Sequence, residues 1–114
     1  MKRYCLTLDL VNDPDLIAQY RHLHSPEGIW PEIPEGIKAV GITGMDIYLL
    51  DTRLFMILEM PDDVDRDEAM ARLATLPRQQ EWEETVGRCQ QCDPDATSAG
   101  KWQLMQQIFT LAAH

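Results

Sequence analysis

Ile42-Thr43-Gly44-Met45-Asp46-Ile47-Tyr48-Leu49-Leu50, then Asp51-Thr52-Arg53, then Leu54-Phe55-Met56-Ile57-Leu58-Glu59-Met60 is the stretch that decides the fold. Both runs are rich in leucine, aromatic and β-branched side chains, and the short polar link between them reads as the turn of an antiparallel hairpin. Leu54–Leu58 is apolar on both faces, which places the second run inside a sheet and not at its edge.

Upstream, Tyr4, Leu6, Leu8 and Leu10 alternate with Cys5, Thr7 and Asp9, the period of a strand with one buried face. Asn12-Asp13-Pro14-Asp15 supplies a cap, a first-turn proline and an acid at the positive end of a helix that runs to about His24. After the break Ser25-Pro26-Glu27-Gly28-Ile29, a second helix starts at Trp30-Pro31-Glu32 and ends at Gly41.

Downstream, Pro61–Asp65 caps a third helix carrying Ala69, Met70, Leu73 and Leu76, and Pro77 separates it from a fourth, Gln79–Cys89. Asp93–Gly100 reads as a polar loop and Trp102–Leu111 as a last strand. The order β-α-α-β-β-α-α-β is an α+β layout: a four-stranded antiparallel sheet with helices on one face. The opposite face lacks a cover, so we expect a face-to-face homodimer.

The 114 residues carry a formal charge of -9 and make one domain, 1–114, of ordinary globular composition. The acidity is spread over both halves, and its field repels phosphate backbones and anionic membranes, so neither nucleic acid nor membrane is an expected partner. The amino terminus acquires Asp9 before any apolar signal core develops, and three cysteines fit a reducing compartment. The expected location is cytoplasmic.

Tyr20 and His24 are one helical turn apart and stack near the end of the first helix. The negative end of the helix dipole favours a protonated imidazole there, suited to donating a proton. On the residues alone, a hydrogen bond from His24 to a loop carbonyl is the favoured account of it.

Tyr20-x-x-x-His24-x-Pro26, Ile29-Trp30-Pro31-Glu32, Ile47-Tyr48-Leu49, Trp82 and the closing Ile108-Phe109-Thr110-Leu111 together resemble the L-rhamnose mutarotase family. The resemblance covers nearly the whole chain. It implies a ferredoxin-like dimeric α/β barrel and a cofactor-free interconversion of the α and β anomers of a 6-deoxy-L-sugar. It further implies that His24 is the acid, that Tyr20 hydrogen-bonds the sugar, and that Trp82 walls the pyranose. Mutarotation suits such residues, because opening a hemiacetal needs one proton delivered and one removed, and no metal or cofactor. The expected partner is a monosaccharide.

Three positions depart from the family pattern. Glu27-Gly28 lengthens the segment beside His24, Met45 stands where the rhamnose enzymes carry a tyrosine, and Glu81-Trp82 replaces paired tryptophans. Met45 and Glu81 therefore join the expected sugar-contacting set, and their altered hydrogen bonding tilts the expectation toward L-fucose over L-rhamnose. Trp30 is expected to shape the loop beside His24, and Trp102 to pack at the last strand.

Cys89-x-x-Cys92 lies toward a helix C-terminus and has no second matched pair, so no metal or redox role is assigned. The acids Asp62, Asp63, Asp65, Asp67 and Glu68 lack the glycine and terminal glutamate of a calcium loop. Two other classes remain open: another cofactor-independent enzyme of the same barrel type, such as a monooxygenase with a dry cavity, and a non-catalytic sugar-binding module whose ligand binding survives loss of His24.

Overall fold

The computed structural model describes residues 1–92 and 98–113. The elements are β1 (Lys2–Asp9), α1 (Pro14–Leu23), α2 (Glu32–Ala39), β2 (Gly44–Leu50), β3 (Arg53–Met60), α3 (Arg66–Leu73), α4 (Gln79–Gly87), α5 (Ser98–Lys101) and β4 (Gln103–Leu104), with a closing 3-10 turn at Leu111–Ala113. All pairings are antiparallel and the strand order is β2-β3-β1-β4, the ferredoxin-like arrangement. As the apolar run Leu54–Leu58 requires, β3 is internal.

The hairpin turn is tighter than expected: Arg53 belongs to β3 opposite Leu50, leaving Asp51-Thr52 as the connection. Asp51 takes a φ of 54°, a left-handed conformation that its short polar side chain tolerates. Period two then sorts the side chains. Leu54, Met56, Leu58 and Met60 of β3 join Leu6 and Leu8 of β1 in the core beneath the helices. Leu54 and Leu58 are among the most completely buried, and truncating such a leucine costs about 2–5 kcal/mol.

The caps act as the sequence dictates. Asp13 accepts hydrogen bonds from the amides of Asp15 (2.9 Å) and Leu16 (3.4 Å), and Asp65 accepts one from Glu68 (3.0 Å), each worth about 1 kcal/mol. Gly41 ends the α2 segment at φ 95°. Pro31 is the residue before α2, which starts at Glu32, and α4 stops at Gly87 instead of Cys89.

Two expectations near the carboxyl end are corrected. The last strand is not Trp102–Leu111 but only Gln103–Leu104, continued by one bond from the Met105 amide to the Cys5 carbonyl (2.8 Å). Alternating apolar residues become a strand only where a neighbouring edge and a buried face receive them. Beyond Met105 no strand continues among the described residues, and Ile108, Phe109 and Leu111 stay exposed. The polar loop 93–100 is also revised at its end, where Ser98–Lys101 forms a helical turn; residues 93–97 lie outside those described.

All the longer helices cover one face. On the other, Tyr48 and Leu50 are exposed beside half-buried Phe55, Ile57, Cys5 and Thr7, between the ion pairs Arg3–Glu59 (3.4 Å) and Arg53–Asp9 (3.0 Å). Among the described residues no helix is long and apolar enough to cross a membrane.

Candidate active site

Between the helices and the sheet lies a cavity of about 300 Å³, at the small end of the roughly 300–1,000 Å³ of ligand pockets. Tyr20 and His24 enter it from α1, Ile33 and Ile37 from α2, Met45 and Ile47 from β2, and Gln79, Trp82, Glu83 and Val86 from α4. The α4 set repeats at i, i+3, i+4 and i+7, one continuous helical face. Gln90 and Trp102 complete its polar end and floor.

His24 caps α1, so its backbone has left the helix while its ring folds back onto the last turn. The imidazole lies 4.2 Å from the Tyr20 ring, tilted by 33°, and meets Trp82 edge-on at 5.2 Å. Its Nδ1 lies 2.8 Å from the Tyr20 carbonyl. A carbonyl oxygen can only accept, so Nδ1 carries the hydrogen, and in the neutral ring Nε2 is the free base. The acceptor is thus a carbonyl of α1 and not of the loop, and the bond is compatible with an active role: one nitrogen is anchored and the other is left for chemistry.

The ionisation state differs from the sequence expectation. The residue is exposed at the cavity mouth, but crowding of its ring by protein lowers the pKa below the ordinary 6.5, against the opposing pull of the Tyr20 carbonyl and the Glu83 carboxylate. Desolvation, which no local pattern reveals, outweighs the helix end, and His24 is neutral at pH 7. Tyr20 is buried, and burial raises its pKa far above the usual tyrosine value, with the Gln90 amide pulling the other way and Glu83 adding to the rise. Its phenol therefore stays protonated as a hydrogen-bond donor.

Glu83 is the ionisable pocket residue that the sequence reading missed. Its carboxylate is held by Lys101, whose ammonium donates to both the Glu83 side chain and its backbone carbonyl at 2.8 Å. The Lys101 side chain is wholly buried while Glu83 keeps 19% exposure, so the anion faces the cavity and the cation stands behind it. No lysine or arginine lines the cavity among the described residues. Helical phase would have found Glu83, one residue beyond Trp82 on the inward stripe.

Of the residues singled out from sequence, Tyr20, His24, Met45 and Trp82 meet around the cavity. Glu81 does not: it faces solvent on the far side of α4, 3.4 Å from Arg78. Trp30 stands behind Trp82, ring centroids 5.2 Å apart, with the Arg78 guanidinium 4.0 Å above it. Trp102 lies buried in the cavity floor. Cys89 is fully buried, and burial raises its thiol pKa, the reverse of a reactive thiolate. Among the described residues no group of histidine, cysteine and acidic side chains is placed to hold a metal ion.

The lengthened loop after α1 has a specific geometry. A Cβ added at Gly28 would sit 2.0 Å from the His22 carbonyl oxygen, so only glycine lets the chain return this closely to the helix end. That return brings Ile29 to the cavity and Trp30 to the back of Trp82.

The class defined here is a small ferredoxin-like α+β protein whose mainly apolar cavity holds a histidine, a tyrosine and a carboxylate. A family model described as L-rhamnose mutarotase matches residues 3–111, and the chain belongs to that family of carbohydrate isomerases. It is 37% identical over 112 residues to an L-fucose mutarotase from Xanthomonas campestris pv. campestris, covering 98% of this chain and 90% of that protein. It is 31% identical over 101 residues to an L-rhamnose mutarotase of Yersinia pestis, covering 87% and 89%. The solved L-rhamnose mutarotase of Formosa agariphila superposes with a TM-score of 0.69 over 97% of this chain and 99% of that one, at 18% identity, a likeness of fold.

Proposed function

We propose that this protein is a mutarotase interconverting the α and β anomers of a 6-deoxy-L-sugar, with L-fucose preferred over L-rhamnose. The observation that carries this is the His24 imidazole anchored through Nδ1, which leaves Nε2 as the basic nitrogen of the neutral ring, at a monosaccharide-sized cavity. Nε2 takes the proton of the anomeric hydroxyl as the C1–O5 bond breaks and C1=O1 forms. The resulting imidazolium returns that proton to O5. Rotation about C1–C2 presents the other carbonyl face, and closure runs the same two transfers backwards, so no proton is consumed.

Glu83 stabilises the transient imidazolium, because its charge favours protonated His24. The Tyr20 phenol, kept protonated by burial, hydrogen-bonds a sugar oxygen. Trp82 covers a C–H face of the ring, and Ile33, Ile37 and Met45 offer an apolar seat for the 6-methyl group. A carboxylate with no cavity-lining cation suits a neutral sugar over a phosphorylated one.

The L-fucose preference is supported by Met45 at the cavity wall and by the higher identity to the relative named L-fucose mutarotase than to those named L-rhamnose mutarotase. We place the protein in the cytoplasm as a homodimer, 1–114 being one domain. Free cysteines support the first, and the uncovered Tyr48, Leu50, Phe55 and Ile57 together with exposed Ile108 and Leu111 support the second. Saturation-transfer NMR on L-fucose and L-rhamnose tests the activity: the protein is expected to accelerate anomer exchange of both, L-fucose more. No acceleration of either overturns the proposal.

A further inference from the structure

Gln79 and Gln90 stand out among the polar side chains of the cavity. Each is more than nine-tenths buried, each lines the cavity, and each holds a polar atom without a hydrogen-bond partner among the described residues: Nε2 of Gln79 and Oε1 of Gln90. Leaving one buried donor and one buried acceptor unmet is costly, and a folded chain keeps such groups where something else satisfies them.

Both side chains are held from behind. Gln79 opens α4 and passes over Gly36 of α2, where an added Cβ would stand 3.1 Å from Nε2; a larger residue at 36 would displace the amide. Gln90 follows α4 with its backbone fixed by an isolated bridge to Leu10 and by a backbone N–H donating to the Gly87 carbonyl at 3.2 Å. The Gln90 side chain also acts on the Tyr20 phenol. One donor and one acceptor thus face the same cavity from two rigid supports.

We propose that Gln79 and Gln90 are the hydroxyl-reading pair of the site, Gln79 Nε2 donating to one ring hydroxyl of the sugar and Gln90 Oε1 accepting from another. A ring hydroxyl both donates and accepts, so only the configuration that places oxygen and hydrogen at both groups satisfies the pair. Sugars differing at one carbon leave one amide buried and unmet, which sets selectivity. Gln79 and Gln90 are specificity-determining residues, distinct from His24, which moves the proton. The inference rests on the mutarotase reading for its ligand class.

The test uses Gln79→Met and Gln90→Met in the full chain, with calorimetric binding of L-fucose and L-rhamnose, anomer exchange and thermal melting. Methionine keeps the length and removes the unmet polar atom, so Gln79→Met is expected to melt at the same temperature or higher. Gln90→Met is expected to melt somewhat lower, because it also removes a hydrogen bond of the buried Tyr20 phenol, and both are expected to bind the preferred sugar roughly tenfold or more weakly. The gap between the two sugars is expected to narrow. Binding unchanged in both variants, a Gln79→Met variant that melts lower or fails to fold, or a native protein that binds neither sugar overturns the inference. Native protein that binds sugar without accelerating anomer exchange, with binding lost in the variants, sinks the mutarotase reading and leaves the hydroxyl pair standing.

Discussion

The His24 imidazole is tied twice to Tyr20: its ring lies 4.2 Å from the phenol ring, and its Nδ1 donates to the Tyr20 carbonyl at 2.8 Å. This pairing makes one turn of helix into an oriented base, with Nε2 directed by the bond its sister nitrogen makes.

The pH profile follows from the neutral ring. Protonation removes the base, so kcat/KM for anomer exchange, corrected for the spontaneous reaction, is expected to fall as pH drops through a His24 pKa below 6.5. The plateau above it is expected to run past pH 10, because the Tyr20 phenol ionises above its ordinary value. An acid limb centred above 6.5, or a loss of rate near pH 10 from a tyrosine, contradicts this assignment.

Glu83 and Lys101 are expected to separate stability from catalysis. Glu83→Gln strands a wholly buried ammonium and is expected to cost about 3–5 kcal/mol in chemical denaturation, largely recovered in Glu83→Gln with Lys101→Met. In the double variant the acid limb is expected to move to lower pH, since the anion that favours protonated His24 is gone. A limb that stays in place removes Glu83 from the electrostatics of the site.

Gly28→Ala is expected to lower the melting point, with a cost of about 1–3 kcal/mol, because its methyl group meets the His22 carbonyl. The displaced loop carries Ile29 and Trp30, so sugar binding should weaken with it. An unaltered melting curve would show that the loop does not depend on this approach.

Selectivity is expected to respond to Met45→Tyr and not to Glu81→Trp, since only position 45 faces the cavity. The rate ratio of L-rhamnose to L-fucose should rise in the first variant and hold in the second. A ratio that moves only with position 81 contradicts the placement of the sugar.

Much of the scaffold was legible because its signals are local. Asp13 and Asp65 cap helices by reaching two or three residues ahead, and the period of Leu54–Met60 fixes which side faces the core. The meeting of Tyr20, His24, Met45 and Trp82 was anticipated from the family resemblance, and the fold realises it. Position 81 enters the expected pocket set only because the family pattern has a tryptophan pair there, whereas helical phase assigns that side to Glu83. Gln90 lies beyond the helix and is aimed by a bridge to Leu10 across the fold, which periodicity does not register. The ionisation of His24 depends on how many atoms crowd its ring, a tertiary quantity, and the final strand was cut short because pairing needs an edge that alternation alone does not supply.

The most direct measurement is saturation-transfer exchange between the L-fucose anomers at pH 7 with native protein and with His24→Ala at matched concentration. The native protein is expected to accelerate exchange, and the variant to lose about a hundredfold to ten-thousandfold of that acceleration while it still binds the sugar. Equal acceleration by the two proteins contradicts a role for His24 in moving the proton.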